Sequence, residues 1–324
     1  MHIEPCIVFV IEKPSFARLF APLAAKYWPS QQIYTVCTFG ITGLYEFRYP
    51  RGLKLDDYPR ISEPSWKPRH IKQPVSRLVD GTVVRTDLEP AIVLGSAETI
   101  YFASDPDHSG AIAYQVLLTQ TLGPEAAQQE RPALLLNSWM PSDIEKALSS
   151  PVSTADFRFR QWLNAGTACR HFDFNYNVNA LALFGASLRQ AGVNLPEYGI
   201  SKCSLQLLYG LQEQSAMHVS AVFALMERWP GTGRYAPAEL GSVASRSAIV
   251  SGLLDAGLLL KRNDACLAVS ERGDRFLELL HPDCRDIDLP ARLVEWANTW
   301  PASQGKMERY LRTFFGKQKR FGAA

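Results

Sequence analysis

The sequence predicts an α/β domain with a mostly parallel sheet over residues 1–150, followed by a mainly α-helical domain over residues 151–324. Three observations lead there. Cys6–Ile11 is a continuous apolar, β-branched run, the pattern of a strand buried on both faces. Such runs alternate with helical patterns up to about residue 150, as parallel βαβ units require. Beyond Pro151 the strand pattern gives way to helical periodicity.

Taken in order, the first strand stops at Glu12-Lys13-Pro14-Ser15, and a helix is expected from Phe16 to about Tyr27. Pro14 suits its first turn, where a missing N–H costs nothing. A second strand, Gln32–Phe39, ends at Gly40. The stretch from Tyr45 to about Pro74 is rich in Pro, Arg and aromatics, lacks periodicity, and reads as a long functional loop. A third strand, Thr99–Ser104, runs into Asp105-Pro106-Asp107; a helix from about Gly110 to Leu122 and a fourth strand, Ala133–Asn137, follow.

In the second domain helices are expected over Phe157–Asn164, Cys169–Gln190 and Cys203–Gln214. Turn material at residues 228–233 sets off a last module, about residues 236–282. There the helices Pro237–Val243 and Ser245–Ala256 precede a hairpin, Leu258–Arg262 and Ala265–Val269, around Asn263-Asp264. Ser270 is expected to cap a further helix through Leu280. Two helices followed by a hairpin is the winged-helix plan.

Composition narrows the function classes. Lys and Arg number 34 against 32 Asp and Glu, a formal charge of +2, which argues against nucleic-acid binding through bulk positive charge. No apolar run reaches the ~18 residues of a membrane span, and Met1–Pro5 has no basic region of the kind that opens a signal peptide. The six cysteines are scattered without a C-x-x-C pair, so reduced thiols, a cytoplasmic location and no membrane partner are expected.

The chemistry is expected at two strand ends. Glu12 and the pair Asp105/Asp107 each follow a buried strand directly, which in a parallel sheet places them at one carboxyl edge, where open α/β sheets bind ligands. Carboxylates gathered there repel unless a cation compensates them. Mg²⁺, which takes hard oxygen ligands with waters or phosphates, is the expected cofactor. Lys13, beside Glu12, can meet a phosphate oxygen or balance the acids. Alone, acids after strands are common turn formers; two such ends with matching helices beyond them are more specific.

These residues carry a family resemblance. Val10–Ser15 resembles the V-E-K-P-S opening of the Toprim domain in type IA DNA topoisomerases, and Ala103–Gly110 its A-T-D-x-D-R-E-G motif. Further matches follow in chain order. Thr38–Thr42 stands at the G-H-L motif, and Leu136–Ala147 is similar to F-N-x-I-T-x-x-A-I-x-x-A. Cys169–Asp173 with Asn179 is similar to A-R-R-x-D-x-x-x-G-x-N, and Gly199–Leu208 to S-x-G-R-V-Q-T-P-x-L. Leu240–Ile249 is similar to L-G-T-P-A-T-R-A-x-I. The resemblance implies a Toprim-like α/β domain joined to a DNA-binding base that includes the winged-helix-like module.

The sequence also departs from that family. The third acid of D-x-D-x-E is Ser109, its neighbouring Arg is His108, and the His of G-H-L is Ile41. The Arg of G-R-V-Q is Lys202, which keeps a charge and loses bidentate geometry. The family's inserted arch, which bears the tyrosine that attacks DNA, has no room here, because only 32 positions separate Leu208 from Leu240. Tyr49, Tyr58 and Tyr310 each stand in a Y-x-R context; Tyr58 is the nucleophile candidate to test first, and all three are read as structural or DNA-contacting.

By this resemblance Glu12 and Lys13 are the catalytic positions, with no nucleophile assigned, and Glu12, Asp105 and Asp107 are the Mg²⁺ ligands. DNA contacts are expected at Arg170, Lys202 and Arg246, and at Lys306, Arg309 and Arg312 in a basic C-terminal run. In the 45–74 stretch, basic residues interleave with Tyr45, Phe47, Tyr49, Tyr58 and Trp66, a mixture that can track and stack a single strand. Its alternative is a loop packed by its own aromatics. The expected function is a DNA-binding, topoisomerase-like protein that binds single-stranded or junction DNA. It would not complete strand passage alone, and would act as an accessory or with a protein partner that supplies the missing gate. Two alternatives stay open: a metal-dependent nuclease or phosphoryl transferase using water at the same acids, and a non-catalytic DNA- or partner-binding scaffold.

Overall fold

The computed structural model describes residues 4–193, 199–262 and 265–322. It divides into two compact units: residues 1–48 with 65–167, and residues 49–64 with 168–324. The first unit holds strands β1 (Cys6–Ile11), β2 (Gln32–Cys37), β3 (Tyr45–Phe47), β4 (Trp66–Pro68), β5 (Val75–Val79), β6 (Thr82–Thr86), β7 (Ala97–Phe102), β8 (Pro132–Ala133) and β9 (Val152–Ser153). Its helices are α1 (Pro14–Ala25), α2 (Pro90–Gly95), α3 (His108–Leu122), α4 (Pro124–Ala127) and α5 (Pro141–Ser149). Helix α6 (Phe157–Leu183) begins in the first unit and continues into the second.

Among the described residues the main sheet has seven strands in the order β6-β5-β2-β1-β7-β8-β9. The four central strands β2, β1, β7 and β8 run parallel, and β5, β6 and β9 extend the edges antiparallel. Every residue of β1 is buried, as a central parallel strand requires. Its alternate side chains feed two cores. Cys6, Val8 and Val10 pack with Ala111, Tyr114, Leu117 and Leu118 of α3 and with Phe159. Ile7, Phe9 and Ile11 pack with Phe16, Phe20 and Ala24 of α1 and Ile144 of α5. The period of two that sends neighbours to opposite faces is thus what seats a helix on each side.

The chain leaves β1 for β2 on one side and returns to β7 on the other, so the strand order reverses at β1/β7. An open α/β sheet leaves its ligand crevice at that switch point, beyond the carboxyl ends of the strands.

The second unit continues α6 and adds α7 (Gly185–Gln190), α8 (Lys202–Gln212), β10 (Met217–His218), α9 (Val219–Glu227), α10 (Val243–Asp255), β11 (Leu259–Arg262), β12 (Cys266–Val269), α11 (Glu271–Glu278), α12 (Leu289–Asn298) and α13 (Gln304–Phe321). Strands β10, β12 and β11 form a small antiparallel sheet in that order. One core, rich in Phe172, Tyr176, Phe184, Phe276, Phe314 and Phe315, holds these elements together.

The α/β-then-helical plan expected from sequence is present at this coarse level; several elements differ. Phe157–Asn164 and Cys169–Gln190 join into one helix, α6, followed by α7. The glycine between them is a packing device: a Cβ on Gly166 would lie 2.5 Å from the His108 carbonyl. Pro237–Val243 is not a helix. Its backbone pairs across the chain, with Trp229 N–H on Ala238 O and Leu240 N–H on Met226 O, and Gly241 turns at φ +78°. The fourth strand shrinks to β8.

Residues 75–86, outside every expected element, form a hairpin whose Asp80-Gly81 turn has φ of +47° and +75°, the left-handed pair a two-residue hairpin favours. Helices α2, α5 and α9 were likewise outside the expectation. The Asn263-Asp264 turn lies outside the described residues.

Residues 49–64 group with the second unit because two buried amides hold them. Asn175 accepts from the Ser62 N–H and donates to its carbonyl, and Asn179 does the same for Arg60. Four residues apart on α6, these side chains share one helix face and read every second residue of the extended segment.

Candidate functional site

Glu12 follows β1 directly, and Asp105 lies three residues past β7. The strand ends are locked before the acids begin. Thr38 donates from its N–H and its hydroxyl to Ile11 O, and Phe39 N–H donates to Glu12 O at 2.9 Å. Phe39 does so from φ +56°, a conformation a non-glycine residue rarely holds without surrounding constraint. Beside them Ala103 N–H and the Ser104 hydroxyl both donate to Val10 O.

The acids differ in their surroundings. The Glu12 side chain is largely buried, whereas Asp105 is about half exposed. Burial first, then the Asp105 charge, push the Glu12 carboxyl above its ordinary value, Lys13 pulling the other way and Asp107 adding to the rise. The Lys13 ammonium stands 3.6 Å from Glu12 Oε1 and 3.8 Å from Asp105 Oδ2. It is the cation that the two carboxylates share.

Asp107 has a further task. It is the N-cap of α3, its Oδ1 accepting the Gly110 N–H at 2.8 Å. Gly110 lets the first turn of α3 press onto the acidic loop, since a Cβ there would fall 2.2 Å from Asp105 O. Helices α1 and α3 both begin at this edge, and the positive end of a helix dipole favours an anion.

Among the described residues no group of three or more His, Cys, Asp or Glu side chains is arranged to hold a metal ion. The donor chemistry nevertheless fits a hard cation taking one or two carboxylates, which Glu12 and Asp105 provide. Asp107 has one oxygen committed to its helix cap.

Four of the six residues expected to contact DNA, Arg170, Lys202, Arg246 and Arg312, have acidic partners within the protein. Arg170 and Lys202 both ion-pair with Asp173, and all three side chains are mostly buried. Burial raises the Asp173 carboxyl, but the charges and hydrogen bonds of Lys202 and Arg170 outweigh it and hold it below the usual range. Arg246 is turned into α10's buried side, pairing with Glu239 at 2.5 Å and donating to Gly241 O. On α13, Lys306 and Arg309 are exposed and Arg312 lies 3.8 Å from Glu308. Farther along, Lys317 pairs with Asp283, and Lys319 donates to the Asp56 and Tyr58 carbonyls, so tertiary partners reduce the basic run.

The tyrosines are packed. Burial, then the Asp57 charge, raise the Tyr58 phenol, which Arg60 only partly offsets. Tyr310 lies against Phe172, Trp296 and Phe314, and burial pushes its phenol well above the usual value. The aromatics of residues 45–68 turn on each other and on α6: Phe47 meets Trp66 at 4.7 Å, and Tyr49 stacks on Phe174 at 5.9 Å. Lys67 and Arg69 pair with Glu46. The reading of this stretch as a loop packed by its own aromatics fits these contacts better than a row of open stacking platforms.

Sequence spacing gave no role to His171, which is buried with Nδ1 3.6 Å from Glu63 and Nε2 3.4 Å from Glu308. Nor did it single out Asn175, although two asparagines at i and i+4 on a helix are a usable signal for amide recognition of backbone. Among the described residues no helix is long and apolar enough to cross a membrane. No protein-family model matches the chain, and no curated protein matches it.

Proposed function

We propose that the chain is a DNA-binding protein of the type IA topoisomerase kind, reduced to a Toprim-like unit and part of the DNA-binding base. The observation that carries this reading is the meeting of Glu12 and Asp105 across one lysine at the β1/β7 switch point, with the N-termini of α1 and α3 at the same edge. Glu12 and Asp105 would hold Mg²⁺, which when bound neutralises a phosphate brought to the edge. Lys13 and the α3 N-terminus orient that phosphate, while Asp107 keeps the loop in place through its cap.

In the second unit the order α8, β10, α9, α10, β11, β12, with β10 paired to β12, supports a winged-helix reading. Arg246 serves its internal packing rather than its exposed face. The raised phenols of Tyr58 and Tyr310 disfavour the phenolate an attacking tyrosine needs, and the role proposed is binding, as an accessory in the cytoplasm or alongside a protein partner.

The test is binding of the purified protein to single-stranded and supercoiled DNA, in Mg²⁺ and in EDTA. We expect Mg²⁺-dependent binding, weakened about tenfold or more by Glu12→Gln and by Asp105→Asn, the cost of losing a ligand carboxylate. No cutting and no relaxation are expected. Metal-dependent cutting lost in the acid variants would establish the nuclease instead. A protein–DNA adduct abolished by Tyr58→Phe would overturn the non-catalytic assignment.

A further inference from the structure

Trp139 stands at the same edge with no role in the site as described so far. Its side chain is 41% exposed, unusual for tryptophan, and the next residue, Met140, is 62% exposed. The indole is held firmly. It packs against Phe16 of α1 with ring centroids 5.2 Å apart, and Phe16 is itself buried. The loop beneath is pinned by Ser138, whose hydroxyl bonds Asp143 and accepts the Met140 N–H, and by Met140 O, which accepts the first amides of α5. The Lys13 ammonium lies 5.9 Å from the centre of the indole.

One cation therefore lies 5.9 Å from the centre of a part-exposed indole and within 4 Å of both Glu12 and Asp105. A phosphate and a flat π-surface one step apart are what a single nucleotide presents, and a base offers its face only when it is not paired in a duplex. We propose that Trp139, backed by Phe16 and extended by Met140, is a stacking subsite for one unpaired nucleobase of a DNA strand whose phosphate is held at Lys13. It would set a preference for single-stranded over duplex DNA. This rests on the DNA-binding reading above.

The measurement is fluorescence anisotropy of labelled DNA in Mg²⁺, comparing a short oligothymidylate with an abasic strand of equal length. Wild-type protein is expected to bind the oligothymidylate about tenfold more tightly, the size of one stacked base. Trp139→Ala should bring the oligothymidylate down to the abasic level and leave the abasic affinity unchanged. Trp139→Phe, which keeps a ring against Phe16, should retain part of the preference and guards against a folding artefact. Equal wild-type binding of both strands, or a preference that survives in Trp139→Ala, overturns the subsite alone. Failure to bind either strand overturns the subsite together with the DNA-binding reading.

Discussion

Glu12 concentrates the conflict between stability and chemistry in one side chain. Burial and the Asp105 charge raise its carboxyl above the ordinary 4.5, so over the pH range between the unfolded and folded values the folded state binds more protons. Stability then falls as pH rises through that window, and the full cost is present above it. Glu12→Gln should therefore stabilise the protein at pH 7, on the order of 0.5 kcal/mol, and the gain should vanish below the ordinary carboxylate range. Thermal melts of both proteins at pH 7 and near pH 4 check this; a variant less stable at pH 7 would show that the carboxylate is satisfied by partners other than Lys13.

At the scale of an element, α3 shows how one residue combines two tasks. Asp107 caps the helix and also lends charge to the acidic edge. Substitution separates them, because asparagine caps as well as aspartate while alanine does not. Asp107→Ala should cost about 1 kcal/mol and Asp107→Asn very little. Equilibrium denaturation gives the stabilities, and titration of Mg²⁺ with DNA gives the charge effect. If Asp107→Asn binds DNA like wild type in Mg²⁺, the residue acts through the cap alone. Helix α6 makes a comparable point: Asn175 and Asn179 are almost fully buried, and their amides are satisfied by the backbone of Arg60 and Ser62.

For the whole molecule, that amide pairing means the second unit is not continuous in sequence. A fragment of residues 168–324 lacks the 49–64 segment and with it the four hydrogen bonds to Asn175 and Asn179, each worth about 0.5–1.5 kcal/mol. It should be less stable than its core suggests, and a peptide of residues 49–64 added in trans should raise its melting temperature in a concentration-dependent way. A melting temperature indifferent to the peptide would remove the Asn175/Asn179 pairing as a stabilising contact. Charge has the same long-range character. The formal +2 conceals an acidic strand edge and a basic α13, and that helix is partly neutralised by Asp283 and Glu308.

Features that depend on contiguous residues alone are legible in the chain. The apolar run Cys6–Ile11 specified a strand buried on both faces, with Glu12 directly after it, whereas Asp105 comes three residues after β7, a strand buried only over its last three residues. Pro14 and Ser270 marked helix starts for local reasons, a missing donor and a capping hydroxyl. The Asp80-Gly81 hairpin is equally local, but its turn pair was not read and the strands on either side lay outside the expected elements. Tertiary structure alone decided the fate of the charges and aromatics. Lys202 finds Asp173 across 29 positions, and Asn179 finds Arg60 across 119. Trp139 meets Phe16 and Lys13 only once α1 and α5 lie on one face of the sheet. Periodicity shows that a residue is charged or apolar on a given face, but whether that group meets solvent, a ligand or a distant partner depends on which elements pack against it.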